Sequence, residues 1–384
     1  MKILLTSESY KFQTNGVTNV IVALEKQLRA MGHEVKVLSL SNKRKSFKIN
    51  DEYYIKSFPL PIYPDLDMSF SFFDPLLDEL IDWHPDIVHV HTEFFTFIMA
   101  KRIIRKYHLP YVMTVHTDYE EYLFGSHDNA NIIEWDIKKW GQATYGKADK
   151  VIAPSEKIRD LPQLKGVGDI TVVIPNGIDL NKYKKTLSSE DRKTLYEQYN
   201  LKDNGKLIAV ISRLSKEKNI HEILDYFKKL SDIDNEVQLI VVGDGPEKEK
   251  LIEHSKKLNI ENIRFTGRID PSEIYKYYGL ADLFTSGSTF EVHSLTYLEA
   301  MAMGLPLLCR KDKCLKGVLD DGFNGYAYRD LEEYLKYAQT ILNDNELKKK
   351  MRENALNRVL EFSDVINAQK VYEVYEQAIA NHNK

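Results

Sequence analysis

The chain has 384 residues, 43% of them hydrophobic, and a mean hydropathy of −0.40, which suits a water-soluble protein with enough apolar mass for two domain cores. A formal net charge of −4 and a pI near 6.3 argue against a nucleic-acid binder, and any basic surface must be local. No apolar run approaches the roughly 20 residues of a membrane span, and Ile3, Leu4 and Leu5 are too few for a signal-peptide core, so the chain is expected in the cytoplasm.

The first predicted strand covers 2–6; a polar loop leads from it to Gly16, and an amphipathic helix over 17–31 is closed by Gly32. Strands at 33–39, 86–91, 111–116 and 150–153, with a basic amphipathic helix near 100–106, continue the alternation of strand and helix. A second series places strands at 206–212, 237–243, 263–266, 283–285 and 305–309, and helical periodicity runs from Leu331 to the end. The fold class is therefore α/β, with two doubly wound, Rossmann-like domains and a boundary in the polar stretch 174–205. In such sheets ligands bind beyond the carboxyl ends of the strands. Cys309 and Cys314 have no His or further Cys nearby to complete a metal set and read as reduced and structural.

The most informative segment is 289–306, where Glu291 and Glu299 stand with seven residues between them in a loop running into a small-residue helix at 300–304. The pair reads as a clamp for a polyhydroxylated ligand, with His293, Ser294 and Leu295 forming the turn whose backbone N–H groups attract phosphate. A carboxylate near a helix start is also favoured by the helix dipole whatever its task. Arg213 and Lys218, after the first strand of the second series, suit a diphosphate or an ordinary solvated charge cluster. Gly16 serves a plain turn or the close approach of an anion, and the missing G-x-G-x-x-G disfavours a nicotinamide enzyme. His116 ends a predicted strand, at the carboxyl end where such sheets bind ligands. His89, His91 and Glu93 alternate at period two and read as hydrogen-bonding groups more readily than as metal ligands. Asp65 with Asp67, and Asp232 with Asp234, match a metal-holding Asp-x-Asp pattern too common to carry weight. Gly243 and Gly245 read as a tight turn.

Taken in order, Asn15-Gly16, His116, the 175–179 segment Pro-Asn-Gly-Ile-Asp, Ser212 to Asn219, Gly243-Asp-Gly245 and the Glu291/Glu299 pair give a chain that resembles the family 4 retaining glycosyltransferases over nearly its whole length. The resemblance implies a glycosyltransferase-B fold, with an acceptor-binding domain over 1–180 to which a helix at about 365–384 returns, and a nucleotide-sugar domain over 181–364. It assigns the ribose hydroxyls to Glu299, the transferred sugar to Glu291, the diphosphate to Arg213 and Lys218 with Gly16 approaching it, and the reacting centre to His116. Ser294 stands where the family usually has glycine, and Asn15 where it has the first of two glycines. No metal and no cofactor beyond the nucleotide-sugar substrate are implied, because fixed cations offset the charge of the departing diphosphate.

Segments 86–94 and 114–122 look like those of bacterial glucosyltransferases acting on diacylglycerol or its monoglucosyl product, with UDP-glucose as donor. Cations at Lys43, Arg44, Lys45, Lys101, Arg102, Arg105 and Lys106 suit an anionic membrane surface, and Phe70, Phe72, Phe73, Phe94, Phe95 and Phe97 suit lipid, against a reading as solvated charge and buried core. That places the enzyme in the cytoplasm or peripherally on the inner face of the plasma membrane. The alternatives are the same chemistry on a polysaccharide or glycoprotein acceptor, and a catalytically silent partner subunit, the latter motivated by Ser294.

Overall fold

A computed structural model describes residues 1–12, 15–41, 43–60, 63–118, 130–203 and 205–382, with the backbone alone at 60, 63–66 and 130–137. Thr14 and the 119–122 part of the second lipid-associated segment lie outside the described residues, as does the side chain of Asp65. The chain divides into two compact units, Met1–Ile178 with Asp364–Lys384, and Asp179–Ser363.

The first unit contains β1 (Lys2–Ser7), β2 (Glu34–Leu40), β3 (Phe47–Ile49), β4 (Glu52–Ile55), β5 (Phe58–Leu60), β6 (Tyr63–Met68), β7 (Ile87–Val90), β8 (Tyr111–Thr114), β9 (Lys150–Ala153) and β10 (Thr171–Val173). Its main sheet has the order β10-β9-β8-β7-β1-β2-β4-β3, parallel except for the β3–β4 pair, while β5 and β6 form a separate ribbon. Strands buried on both faces need continuous apolar runs, and Ile3, Leu4 and Leu5 supply one, all inaccessible to solvent. The helix α1 (Gly16–Ala30) starts where the Asn15 side chain accepts the Thr18 N–H at 2.8 Å, and buries Val20, Ile21, Leu24 and Leu28. Helix α2 (Pro75–Trp83) is capped by Asp74 with Pro75 at its first position.

Helix α3 (Phe95–Tyr107) lacks a side-chain cap of its own. Glu8, just beyond β1, replaces it by accepting the Thr96 N–H at 2.8 Å and the Thr96 hydroxyl at 2.9 Å. The last helix, Asp364–His382, contributes Ala368, Val371, Val374, Tyr375 and Ala378 to the same core as Ile3, Ile21, Val37 and Val112, so the first unit is completed by the far end of the chain.

The second unit holds β11 (Lys206–Ile211), β12 (Val237–Val242), β13 (Ile263–Gly267), β14 (Leu283–Ser286), β15 (Leu307–Arg310) and β16 (Gly325–Tyr328), in the order β13-β12-β11-β14-β15-β16 and parallel throughout. Its core runs from Ile208, Leu239 and Val241 in the sheet to Phe227 and Ile341 in the helices.

Several expectations are corrected. The strand expected over 111–116 ends at Thr114, which leaves His116 in the following loop. The helix expected from Ala300 begins at Leu295, so Glu299 projects from inside it. The terminal helical stretch breaks into Leu331–Asn343, Asn345–Val359 and Asp364–His382, and only the last belongs to the first unit. The β3–β4 and β5–β6 ribbons, α2, β10, β16 and the helix Ser189–Gln198 occupy stretches where the sequence reading places no element. Short strands leave too few residues for a period to emerge and Ser189–Gln198 is weakly amphipathic, whereas α2 carries a start signal in Asp74-Pro75 that the sequence reading passes over.

Candidate functional site

In the second unit the strand order reverses between β11 and β14, which are hydrogen-bonded neighbours. The loops after these two strands carry Arg213 and Lys218 on one side and Glu291 on the other, which is the switch point where open α/β sheets bind ligands. The geometry brings Lys218 and Glu291 together, with Nζ 2.7 Å from Oε1 and the two side chains only 22% and 11% exposed. Lys218 ends the 3₁₀ turn Lys216–Lys218, and Asn219 follows in the left-handed region at φ 50°. Arg213 is exposed on a loop pinned by the next turn: Leu214 N–H donates to the Asp244 carbonyl at 3.0 Å, and Glu247 N–H donates to the Leu214 carbonyl at 2.9 Å. Gly243, at φ 137°, is required there, because an added Cβ would run into the Ser212 carbonyl.

Glu299 lies half-buried in the helix Leu295–Ala302, with two tyrosines against it. Tyr278 donates to Oε2 at 2.8 Å, and the Tyr183 phenol acts on the same carboxylate. Burial raises the Glu299 carboxyl above its ordinary range, opposed by the two phenols and the charge of Lys182. Tyr183 and Tyr278 escape sequence reasoning because nothing local separates them from core aromatics; only their common partner marks them. His293 and Ser294 are buried just before the helix, while Leu295 opens it half-buried. The His293 ring sits 5.6 Å from that of Phe362, and burial takes its pKa down to about 4. Ser294 occupies the cap position, with its hydroxyl 3.0 Å from that of Thr296.

In the first unit the order reverses between β1 and β7. Gly16 opens α1, exposed, and a Cβ added there would meet nothing within 4 Å, so the fold itself does not demand glycine. His116 is half-buried, its Nε2 lying 3.0 Å from His91 Nδ1. His89 is buried behind them, with Nδ1 2.6 Å from the Tyr375 hydroxyl and Nε2 2.7 Å from the Thr114 hydroxyl. Burial lowers all three, His89 to about 3, His116 to about 4 and His91 well below its ordinary value, so the rings are neutral at pH 7. His89 thus holds two hydroxyls with its ring 4.0 Å from that of His91, as period-two spacing suggests, and Glu93 accepts from Tyr145 at 2.8 Å. Asp232 and Asp234 pair with different lysines, Lys228 and Lys206, each at 2.6 Å.

Phe97 is buried and leaves the expected lipid-facing set. Phe70 and Phe73 are 65% and 84% exposed, with Phe58, Phe94 and Ile98 also on the surface. The Phe70 ring lies 6.0 Å from Phe58 and 5.9 Å from Phe95, and the Arg102 guanidinium is 5.4 Å from the Phe73 ring. Lys101 sits below its ordinary pKa through burial and then the charges of Arg105 and Lys147. Among the described residues no helix is long and apolar enough to cross a membrane.

Two parallel-sheet α/β units with their loops gathered at switch points define a glycosyltransferase-B fold. The structure of HepE from Anabaena in complex with UDP matches with a TM-score of 0.76, covering 97% of this chain and 99% of its own at 21% identity. Sucrose-phosphate synthase from Thermosynechococcus elongatus matches at 0.75, covering 99% of both chains at 19% identity. These likenesses establish the fold. Residues 14–182 match the Glycosyltransferase Family 4 model, and residues 191–358 match Glycosyl transferases group 1. An alpha-monoglucosyldiacylglycerol synthase of Streptococcus pneumoniae is 32% identical, covering 100% of this chain and 87% of the relative. One of Acholeplasma laidlawii is 29% identical, covering 100% and 99%. The chain belongs to the family 4 glycosyltransferases and is a hexosyltransferase.

Proposed function

We propose that the chain transfers glucose from UDP-glucose to a diacylglycerol-type lipid, with retention at the anomeric carbon and without a metal ion. The observation that carries the acceptor class is that both full-length relatives described above are monoglucosyldiacylglycerol synthases. The exposed aromatics around Phe70 and Phe73, beside the basic residues of α3, favour the same reading, since apolar rings flanked by cations suit the boundary of an anionic bilayer. A cytoplasmic enzyme docking peripherally on a membrane follows from it.

In this reading the second unit holds the donor and the first the acceptor. Arg213 and Lys218 offset the charge of the leaving diphosphate, and the backbone at His293, Ser294 and Leu295 adds N–H groups at the helix start. Glu299 takes the ribose diol and Glu291 the hydroxyls of the hexose, exchanging its bond to Lys218 as the diphosphate arrives. The family resemblance assigns Gly16 to the phosphates and His116 to the reacting centre. The acceptor oxygen forms its bond to that carbon on the face from which the phosphate oxygen departs, and the departing oxygen takes the hydroxyl proton. No side-chain base is needed for this balance.

The test is incubation with UDP-glucose, UDP-galactose, UDP-N-acetylglucosamine and GDP-mannose, with and without diacylglycerol vesicles, following nucleotide release and labelled lipid. Lipid-dependent release from UDP-glucose, an α-linked product and persistence in EDTA are expected. Release without a lipid product would move the acceptor to a polysaccharide or protein, and silence toward every donor would overturn the enzyme reading.

A further inference from the structure

In the proposed donor site the half-buried Glu299 carboxylate has to be kept ionised and aimed. A carboxylate grips a vicinal diol only when both oxygens face it, and burial favours the protonated acid, which has lost half its acceptor character. The groups that aim it lie outside the 289–306 segment. The 175–179 segment enters the second unit at Asp179, whose side chain accepts the Asn181 N–H at 3.0 Å and starts the 3₁₀ turn Leu180–Tyr183. That turn packs on the helix Leu295–Ala302 and delivers Tyr183 to Glu299. From the opposite neighbour, the helix Ile274–Leu280, fully buried Tyr278 delivers its hydroxyl to Oε2 at 2.8 Å. The two rings meet edge to face, their centroids 6.4 Å apart at 81°, so each fixes the other.

We infer that Tyr278 and Tyr183 are positioning residues for donor recognition: their hydroxyls fix the Glu299 carboxylate in the rotation that the ribose hydroxyls of the nucleotide-sugar require. This rests on the proposed role of Glu299. Both phenols are held well above their ordinary pKa by burial and by the charge of Glu299, and so remain donors. The groups facing Glu299 are Tyr278 from one element, and Tyr183 with Lys182 from the other. Removing either hydroxyl takes away an influence that lowers the Glu299 pKa, so the variants should lose donor affinity on acidification at a higher pH than the wild type.

The experiment compares wild type, Tyr278→Phe and Tyr183→Phe with UDP-glucose and with its 2′-deoxyribose analogue, measuring kcat, donor KM from pH 5.5 to 8, and UDP affinity by calorimetry. Each variant should raise the donor KM about tenfold at neutral pH with kcat within about twofold, the scale of one hydrogen bond to a charged group. The deoxy analogue should penalise the wild type more than the variants, since a misaimed Glu299 has less to lose. Folded variants with wild-type KM, or with an undiminished deoxy penalty, would overturn the inference, as would a loss confined to kcat. Should Tyr278→Phe melt below the assay temperature, Tyr183→Phe, at the half-buried residue, carries the same test. Failure of the wild type to bind UDP or UDP-glucose would overturn the donor reading, and this inference with it.

Discussion

His89, His91 and His116 form a row of neutral rings that starts at Tyr375 and ends beside the loop after β8. Their folded pKa values lie below the ordinary 6.5 because burial penalises the imidazolium. The unfolded chain therefore binds more protons than the folded one between about pH 4 and 6.5, and stability is present in full above that window and lost as the pH falls through it. His89 and His116 should each cost about 2 kcal/mol on going from pH 7 to 5, and His91 acts in the same direction. A fall in melting temperature over that interval that is smaller in His91→Phe than in the wild type is expected; equal falls would contradict it. At the donor site, Glu299→Ala or Arg213→Ala should abolish transfer with the circular dichroism spectrum unchanged, and near-normal turnover in either would remove the residue from its proposed role. The Glu291/Glu299 spacing is visible in the sequence because both carboxylates sit in one short segment. Tyr183 and Tyr278 are separated from Glu299 by 116 and 21 positions and become visible only through the hydrogen bonds they make.

At the scale of elements, the loop carrying Arg213 keeps its path because the turn after β12 comes within touching distance of it. Gly243→Ala should cost about 1–3 kcal/mol by overpacking against the Ser212 carbonyl, and should raise the donor KM more than it lowers kcat. An unchanged melt and KM would show that the loop relaxes freely. Glu8 capping α3 from just beyond β1 is a comparable device: Phe94 offers no side-chain cap, and the cap comes from 88 positions away in the chain. Helix α1 is legible from its amphipathic period and its closing Gly32, whereas the short pairs β3–β4 and β5–β6 are not.

At the scale of the whole molecule, the second unit is one continuous stretch, Asp179–Ser363, with its own core, whereas the first needs both ends of the chain. A fragment covering 179–363 should therefore melt cooperatively and bind UDP, while 1–178 alone should lack a cooperative transition, with Val371, Val374 and Tyr375 missing from its core. A well-folded 1–178 fragment would show that the last helix is dispensable. In the full chain, Tyr375→Ala should cost about 3 kcal/mol, from the cavity it leaves and the hydroxyl withdrawn from His89, and calorimetry should show the loss.

The sequence by itself determined the alternation of apolar strands and amphipathic helices, hence two doubly wound sheets, and it carried the loop motifs that tie the chain to the family 4 glycosyltransferases. Those properties are local: a buried parallel strand needs an apolar run, and a strand-end loop carries its chemistry within a few residues. Only the tertiary structure decided that Lys218 bonds Glu291, that two distant tyrosines hold Glu299, that Phe97 turns inward while Phe73 faces water, and that Tyr375 supports the histidine row. Each of these depends on which strands become neighbours, and on the burial that follows from it, which no window of sequence contains.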